Sequence, residues 1–240
     1  TVAVFHSIRT QFAEVDGKAA QRVLPVSATH YDLLDVREEA NPVEYVQSDA
    51  RRRWQQPFDL TEGKLARSCI YQVEDQKFAV LLATHHIVMD AWSLQIIIKT
   101  FVDLVAGKPY RSRVAQTYLE YASEQVSAEK VQYFAQQKTT WENHHFIGED
   151  SVVLPSLNDQ SQDAYTARHE LFTISDELNE LIKEAGSALG ATKFEVLASA
   201  MMLTLRQYSS NTHPSICVPA LNRNSKNRRT VGFYVNSAVM

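Results

Sequence analysis

Between Phe78 and Val105 the hydrophobic pattern changes period within a few residues. "FAVLLATHHI", Phe78 to Ile87, is almost continuously apolar, which suits a strand covered on both faces. From Leu94 the apolar residues recur at helical spacing, with Leu94, Ile97, Ile98, Phe101, Val102 and Val105 in one stripe. The pattern predicts a central strand, a loop opening on His85 and His86, and an amphipathic helix stopped by Gly107 with Pro109 beyond. Such a switch narrows the class to α/β or α+β. It also places the histidine pair beyond a strand end, where sites gather in α/β sheets.

The flanking sequence extends this framework. Lys64 to Val73 alternates imperfectly, and the polar connector Glu74 to Lys77 predicts a hairpin into the apolar strand. Arg22 to Val36 has β-type composition broken by Pro25. Asn41 and Pro42 open a short helix that ends before Pro57 and Gly63. A long helical stretch, interrupted somewhere, is expected over Arg113 to Asn143. Leu154 to Ala167 is polar and rich in Pro, Ser, Asn and Asp, so lobes over 1–155 and 167–240 joined by a linker over 156–166 are expected. Then come a strand-like "RHELFTI", a helix from Asp176 capped by Ser175, and a helix opened by a Thr192/Glu195 capping box. Phe194, Leu197, Ala198, Met201 and Leu205 share one face of the latter. Ser215 to Leu221 reads as a buried strand, followed by a polar loop and a further strand from Val231.

Composition excludes several classes. The net charge of −4 gives no global field to recruit nucleic acid or anionic lipid, and neither is expected as a partner. The run Arg51-Arg52-Arg53, followed by Trp54, reads as a solvated turn or helix end. There is no GxxxxGK[ST] or GxGxxG phosphate loop. Cys69 and Cys217 lie far apart in apolar neighbourhoods and are expected to be buried free thiols of a reducing compartment. No apolar run approaches a membrane span, and the N-terminus lacks the order of a signal peptide, so the cytoplasm is the expected location.

Side chains of successive strand residues point to opposite faces, so His85 and His86 should do different jobs. One can be held in the structure while the other faces a cavity. That geometry also speaks against a shared metal ion, and no third ligand is evident. A second adjacent pair, His144 and His145, follows a helical segment with no buried strand before it and reads as a solvated helix end. Asp90 has three readings: it orients an imidazole, caps the helix that follows, or pairs with an arginine in the interior. No GxSxG elbow or evident nucleophile accompanies the histidines, which removes a covalent enzyme intermediate.

These residues resemble a known family. "HHIVMDAWS" resembles the HHxxxDG motif of nonribosomal peptide synthetase condensation domains, at His85, His86, Asp90, Trp92 and Ser93. "PFDLTEGKLARSCI", "GATKFEVLASAMMLTLRQYS" and "VPALNRNSKNRRTVGFYVNS" resemble further family segments in order, and "IRTQFAEVDGKAAQRV" is similar to the family's early helix and strand. The resemblance implies a chloramphenicol acetyltransferase-like α/β fold of two lobes with a tunnel between them, here with the N-lobe nearly complete and the C-lobe partial. It implies amide formation between a donor acyl or peptidyl thioester and an acceptor amine. Both would be tethered by phosphopantetheine to donor and acceptor peptidyl carrier proteins, with an adenylation domain adjacent in the same polypeptide and no cofactor bound by this domain itself. His86 would be the functional histidine. His85 and Asp90 would be structural, with Asp90 paired to Arg67 or Arg223. Ala91, Trp92, Ser93 and Asn236 would line the tunnel. Ala91 stands where the family has glycine, a costly replacement of about 1 kcal/mol if the position needs positive φ. The rival readings are an epimerisation domain, which usually has serine before tryptophan after the motif, and a non-catalytic scaffold that docks a carrier protein or a tailoring enzyme.

Overall fold

The computed structural model describes residues 4–26, 31–110, 114–143, 170–208 and 214–240. In chain order the elements are β1 (Thr10–Val15), β2 (Lys18–Val23), β3 (Asp32–Asp35), α1 (Pro42–Gln55), β4 (Ala66–Glu74), β5 (Lys77–Thr84) and α2 (Ala91–Val105). They continue as α3 (Tyr118–Gln125), α4 (Ala128–Glu142), α5 (Asp176–Leu189), α6 (Lys193–Tyr208), β6 (Cys217–Ala220) and β7 (Asn236–Val239). Two compact units result, and they do not follow chain order. The first holds Thr1–Tyr133 together with Pro219–Asn236, and the second holds Phe134–Val218 and Ser237–Met240. The segment expected as a linker and the pair His144–His145 lie outside the described residues.

The first unit is built on the sheet β3–β4–β5, with β4 antiparallel to β5 and parallel to β3. The apolar run of β5 is therefore not the central strand. Among the described residues β5 is an edge and β4 lies in the middle. Both faces of β5 are nevertheless used, since Ala79 and Leu81 pack with one core and Leu82 with another. Apolar residues on both faces thus reflect two cores rather than two neighbouring strands. Cys69, Tyr71 and Val73 alternate along β4 and meet Val36 in the first of these cores.

Helix α1 starts at an Asn41 cap, whose side chain accepts from Glu44 N, with Pro42 at its first position. It carries the buried Asp49, which accepts from the Tyr71 hydroxyl at 2.8 Å and pairs with Arg52 and Arg53. Burial pushes the Asp49 pKa up, but hydrogen bonds from Arg53, Tyr71 and Arg52 outweigh it and hold the carboxyl below its ordinary range. The arginine run is thus not a uniformly solvated helix end. Arg53 is bound to Asp49 and Asp32, while Trp54 stays exposed.

The opening segment departs from the helix and strand that the resemblance implied. After a 3-10 turn at Ser7–Arg9 it forms the hairpin β1–β2. Asp16 and Gly17 make the turn with φ of 51° and 71°, the Asp-Gly pattern that suits the twist of a two-residue hairpin. Helix α2 also divides its predicted stripe. Ser93 and Ile97 are buried, and Ile97 joins Phe5, Ile8 and Val231 in the second core, while Leu94, Ile98, Val102 and Val105 are exposed. The long helical stretch breaks at Val126–Ser127 between α3 and α4, and α3 opens with a Thr117/Glu120 capping box.

In the second unit Ser175 caps α5, and Gly190 closes it in the left-handed region at φ 64°. Thr192 and Glu195 exchange the two hydrogen bonds of a capping box at the start of α6. Only Ala198 of the predicted α6 face is buried, and Phe194, Leu197 and Met201 are exposed. Residues 170–174 are not a strand, and Leu171 and Phe172 are exposed. The segment Ser215–Leu221 is not buried either. Its strand, β6, pairs only with β7 among the described residues, and exposure alternates along it. Cys217 falls on the uncovered side and is exposed, whereas Cys69 is buried as expected. Residues 231–235 are irregular, and the final strand begins only at Asn236. No single helix among the described residues is long and apolar enough to cross a membrane.

Candidate active site

Strand β5 ends at Thr84. His85 is still extended, His86–Val88 form one 3-10 turn, and Asp90 is extended again before α2 begins. The two histidines therefore differ because His85 caps a turn that His86 opens, not by strand alternation. His85 Nδ1 accepts the Ile87 N–H at 3.1 Å and caps that turn. An accepting Nδ1 places the ring proton on Nε2. The His85 ring stands edge-on to Phe58 at 6.1 Å, and the Arg67 guanidinium covers Phe58 at 3.9 Å. Arg67 also donates to the carbonyls of Arg53, Gln56 and Pro57. Its charge thus closes the loop after α1, and it is not the partner of Asp90.

That partner is Arg223. Its Nη2 donates to both Asp90 oxygens, at 2.9 and 3.0 Å, and each side chain is only 2 % exposed. Asp90 Oδ1 accepts the Ser93 N–H at 2.8 Å, so the same carboxylate caps α2, and Oδ2 accepts the Tyr234 N–H at 3.1 Å. Burial alone would raise the Asp90 pKa. Hydrogen bonding by Ser93 and Tyr234 and the charge of Arg223 prevail and hold it below the ordinary carboxylate range. Arg223 is fixed in turn by the carbonyls of Asn227 and Thr230 and by the Tyr234 ring, 4.1 Å from its guanidinium carbon. The cap and ion-pair readings of Asp90 hold together, and its carboxylate has no capacity left for an imidazole.

Ser93 is fully buried. Its hydroxyl donates to the Gly232 carbonyl at 2.8 Å and accepts from Gly232 N–H and Arg223 Nη2. It therefore faces no open space, in contrast to its expected place along a tunnel. Trp92 is half-buried, and its indole N–H donates to the Arg228 carbonyl at 2.9 Å. Ala91 is exposed at the first position of α2. Among the described residues only Asp16 and Asn222 are non-glycine residues with positive φ, so alanine is unstrained at position 91. Asn236 opens β7 and is exposed. His86 is exposed, and its imidazole makes no hydrogen bond among the described residues. Its ring neighbour is Phe233, edge-on at 5.3 Å. No group of three His, Cys, Asp or Glu side chains among the described residues could hold a metal ion.

Several residues of this arrangement were given no role from the sequence, although Gly232, Phe233 and Tyr234 lie in the family-like segment "VPALNRNSKNRRTVGFYVNS". Tyr118 lies over Gly232, where an added Cβ would meet the ring at 2.2 Å, and its hydroxyl donates to the Phe233 carbonyl at 2.9 Å. Tyr118, Gly232, Phe233 and Tyr234 thus bind α3 to the loop beside the histidines.

The family profile described as "Condensation domain" matches residues 2–240. This chain belongs to that family. Among relatives of the condensation domain, a linear gramicidin synthase of Brevibacillus parabrevis is 28 % identical over 248 residues, covering 98 % of this chain and 3 % of its own length. Bacitracin synthase 3 of Bacillus licheniformis is 26 % identical over 246 residues, covering 98 % of this chain and 4 % of its own length. The chain thus spans a small fraction of the curated relatives it matches. Two solved structures share its fold. The SgcC5 protein from Streptomyces globisporus superposes with a TM-score of 0.73 at 21 % identity, covering 99 % of this chain and 55 % of that one. The first condensation domain of the calcium-dependent antibiotic synthetase gives 0.66 at 16 % identity, covering 99 % and 58 %. The mixed α/β content and these neighbours establish the chloramphenicol acetyltransferase-like fold of the condensation domain.

Proposed function

We propose that this condensation domain joins a donor acyl or peptidyl thioester to an acceptor α-amine, both tethered by phosphopantetheine to carrier proteins. The amine nitrogen attacks the thioester carbonyl carbon, the C–S bond breaks, the donor's pantetheine thiol leaves, and one proton departs from the nitrogen. The supporting observation is the division of labour around the motif. Asp90 and His85 are committed to holding the loop, while the His86 imidazole is exposed and makes no hydrogen bond among the described residues. A neutral imidazole near pH 7 accepts the proton of an attacking amine. Holding the two tethered reactants in line supplies much of the remaining acceleration, up to roughly 7–11 kcal/mol in ideal cases.

The partners under this reading are a donor and an acceptor carrier protein, with an adenylation domain in the same polypeptide and the cytoplasm as the location. The domain holds no cofactor of its own, and phosphopantetheine arrives on the carriers. The test mixes the protein with one donor-loaded and one acceptor-loaded carrier protein, follows the acceptor by intact mass, and determines the configuration of the amino acids released from both carriers by chiral chromatography. Transfer of the donor acyl group to the acceptor carrier supports the reading. Two unchanged carriers, or inversion at the α-carbon of one of them without transfer, would overturn it.

A further inference from the structure

We propose that Phe233 orients His86 and sets the size of the acceptor group accepted beside it, an inference that rests on His86 acting on the acceptor amine. The Phe233 ring meets the His86 imidazole edge-on, with 5.3 Å between centroids and 89° between planes. Phe233 is 37 % exposed, so its ring borders open space as well as the imidazole. An exposed aromatic ordinarily explores several rotamers and gives little shape to a site. The backbone here is held on both sides. Gly232 exchanges two hydrogen bonds with the Ser93 hydroxyl, Tyr234 N–H is bound by Asp90, and the Phe233 carbonyl is bound by Tyr118. The Asp90 and Ser93 contacts come from the same loop and helix start that follow His86. One hydrogen-bonded unit therefore fixes the Cα of Phe233 relative to the loop that carries His86.

Two consequences follow. The ring restricts rotation of the His86 side chain, which has no hydrogen bond among the described residues to do so. Standing 37 % exposed beside the imidazole, it also borders the side from which a side chain on the amine's α-carbon can extend when nitrogen lies against His86. Removing the ring opens that side, and hydrophobic volume of this size changes discrimination by at least tenfold.

The test compares the parent with Phe233→Ala, Phe233→Leu and Phe233→Tyr, using acceptor carriers loaded with alanine or with phenylalanine. Phe233→Ala should raise the phenylalanine-to-alanine rate ratio by on the order of tenfold, and Phe233→Tyr should keep the parent ratio. With alanine, kcat should fall in Phe233→Ala at unchanged KM. An unchanged ratio in Phe233→Ala overturns the size role. A second readout does not need turnover. The ring C–H resonances of His86 should move in Phe233→Leu, which keeps bulk but loses the aromatic ring current, and should stay near the parent in Phe233→Tyr. Unmoved His86 resonances in Phe233→Leu overturn the orienting role. A parent that joins no acceptor at all refutes the condensation reading instead, and unmoved His86 resonances in Phe233→Leu would then still refute the contact on which the orienting role depends.

Discussion

Asp90 and Arg223 stand 133 residues apart in the chain and form a buried ion pair, with one guanidinium nitrogen within 3.0 Å of both carboxylate oxygens. Removing one partner strands the other charge in the interior. Asp90→Ala or Arg223→Ala should each cost about 3–5 kcal/mol. The double replacement should cost clearly less than the sum, because neither charge is then left alone. Urea unfolding of the four proteins measures this. Parent-like stability in Asp90→Ala would show that the pair does not hold the site together.

The same pair dictates a pH response. The folded pKa of Asp90 is lowered relative to the unfolded chain, where an aspartate titrates near 4. Its contribution to stability is therefore complete above about pH 4 and is lost as pH falls through the folded pKa. Asp90→Asn carries no such titration. The gap in melting temperature between parent and Asp90→Asn should be widest from pH 5 to 7 and should shrink below about pH 4. A gap that stays constant across that range would contradict the charge-based account.

Gly232 is required for close approach, not for an unusual backbone angle. An added Cβ would lie 2.2 Å from Tyr118 Cδ2, and Tyr118 cannot swing away without releasing the Phe233 carbonyl. Gly232→Ala should cost about 1–3 kcal/mol through overpacking. Tyr118→Ala combined with Gly232→Ala should recover part of that loss relative to additivity. Strict additivity in the double mutant would place the strain elsewhere.

Ala91 should behave as an ordinary exposed helix residue. Ala91→Gly should leave the rate of amide formation unchanged and lower stability by at most about 1 kcal/mol. A tenfold gain in rate would show that the methyl group obstructs the reactants.

The sequence was most legible where local chemistry decides conformation. Asn41-Pro42, Ser175 and the Thr192/Glu195 box all cap helices through contacts made within three residues. The strand, loop and helix around His85 and His86 were readable from the period change for the same reason. Burial was harder to read. The stripe of α2 and the face of α6 are wider than what their neighbours cover, so apolar character did not translate into depth. The rank of β5 depended on which strands pair, and two separate cores can mimic a central position. Asp16-Gly17 was a readable hairpin signal, overridden by the helix and strand implied by the resemblance. The choice of Arg223 over Arg67, and the clasp of Tyr118 on Gly232, depend on contacts spanning more than 100 residues. No local pattern carries that information.

Under the proposed function, His86 performs the chemistry while His85 holds the loop. Single-turnover amide formation between two loaded carrier proteins, measured for the parent, His86→Ala and His85→Ala alongside a thermal melt of each, tests it most directly. His86→Ala should melt like the parent and lose about 100- to 10,000-fold in rate, as expected for a lost general base. His85→Ala should lose about 0.5–2 kcal/mol of stability through the vacated cap. A His86→Ala protein that condenses at the parent rate, beside a stably folded His85→Ala protein that is inactive, would contradict the assignment.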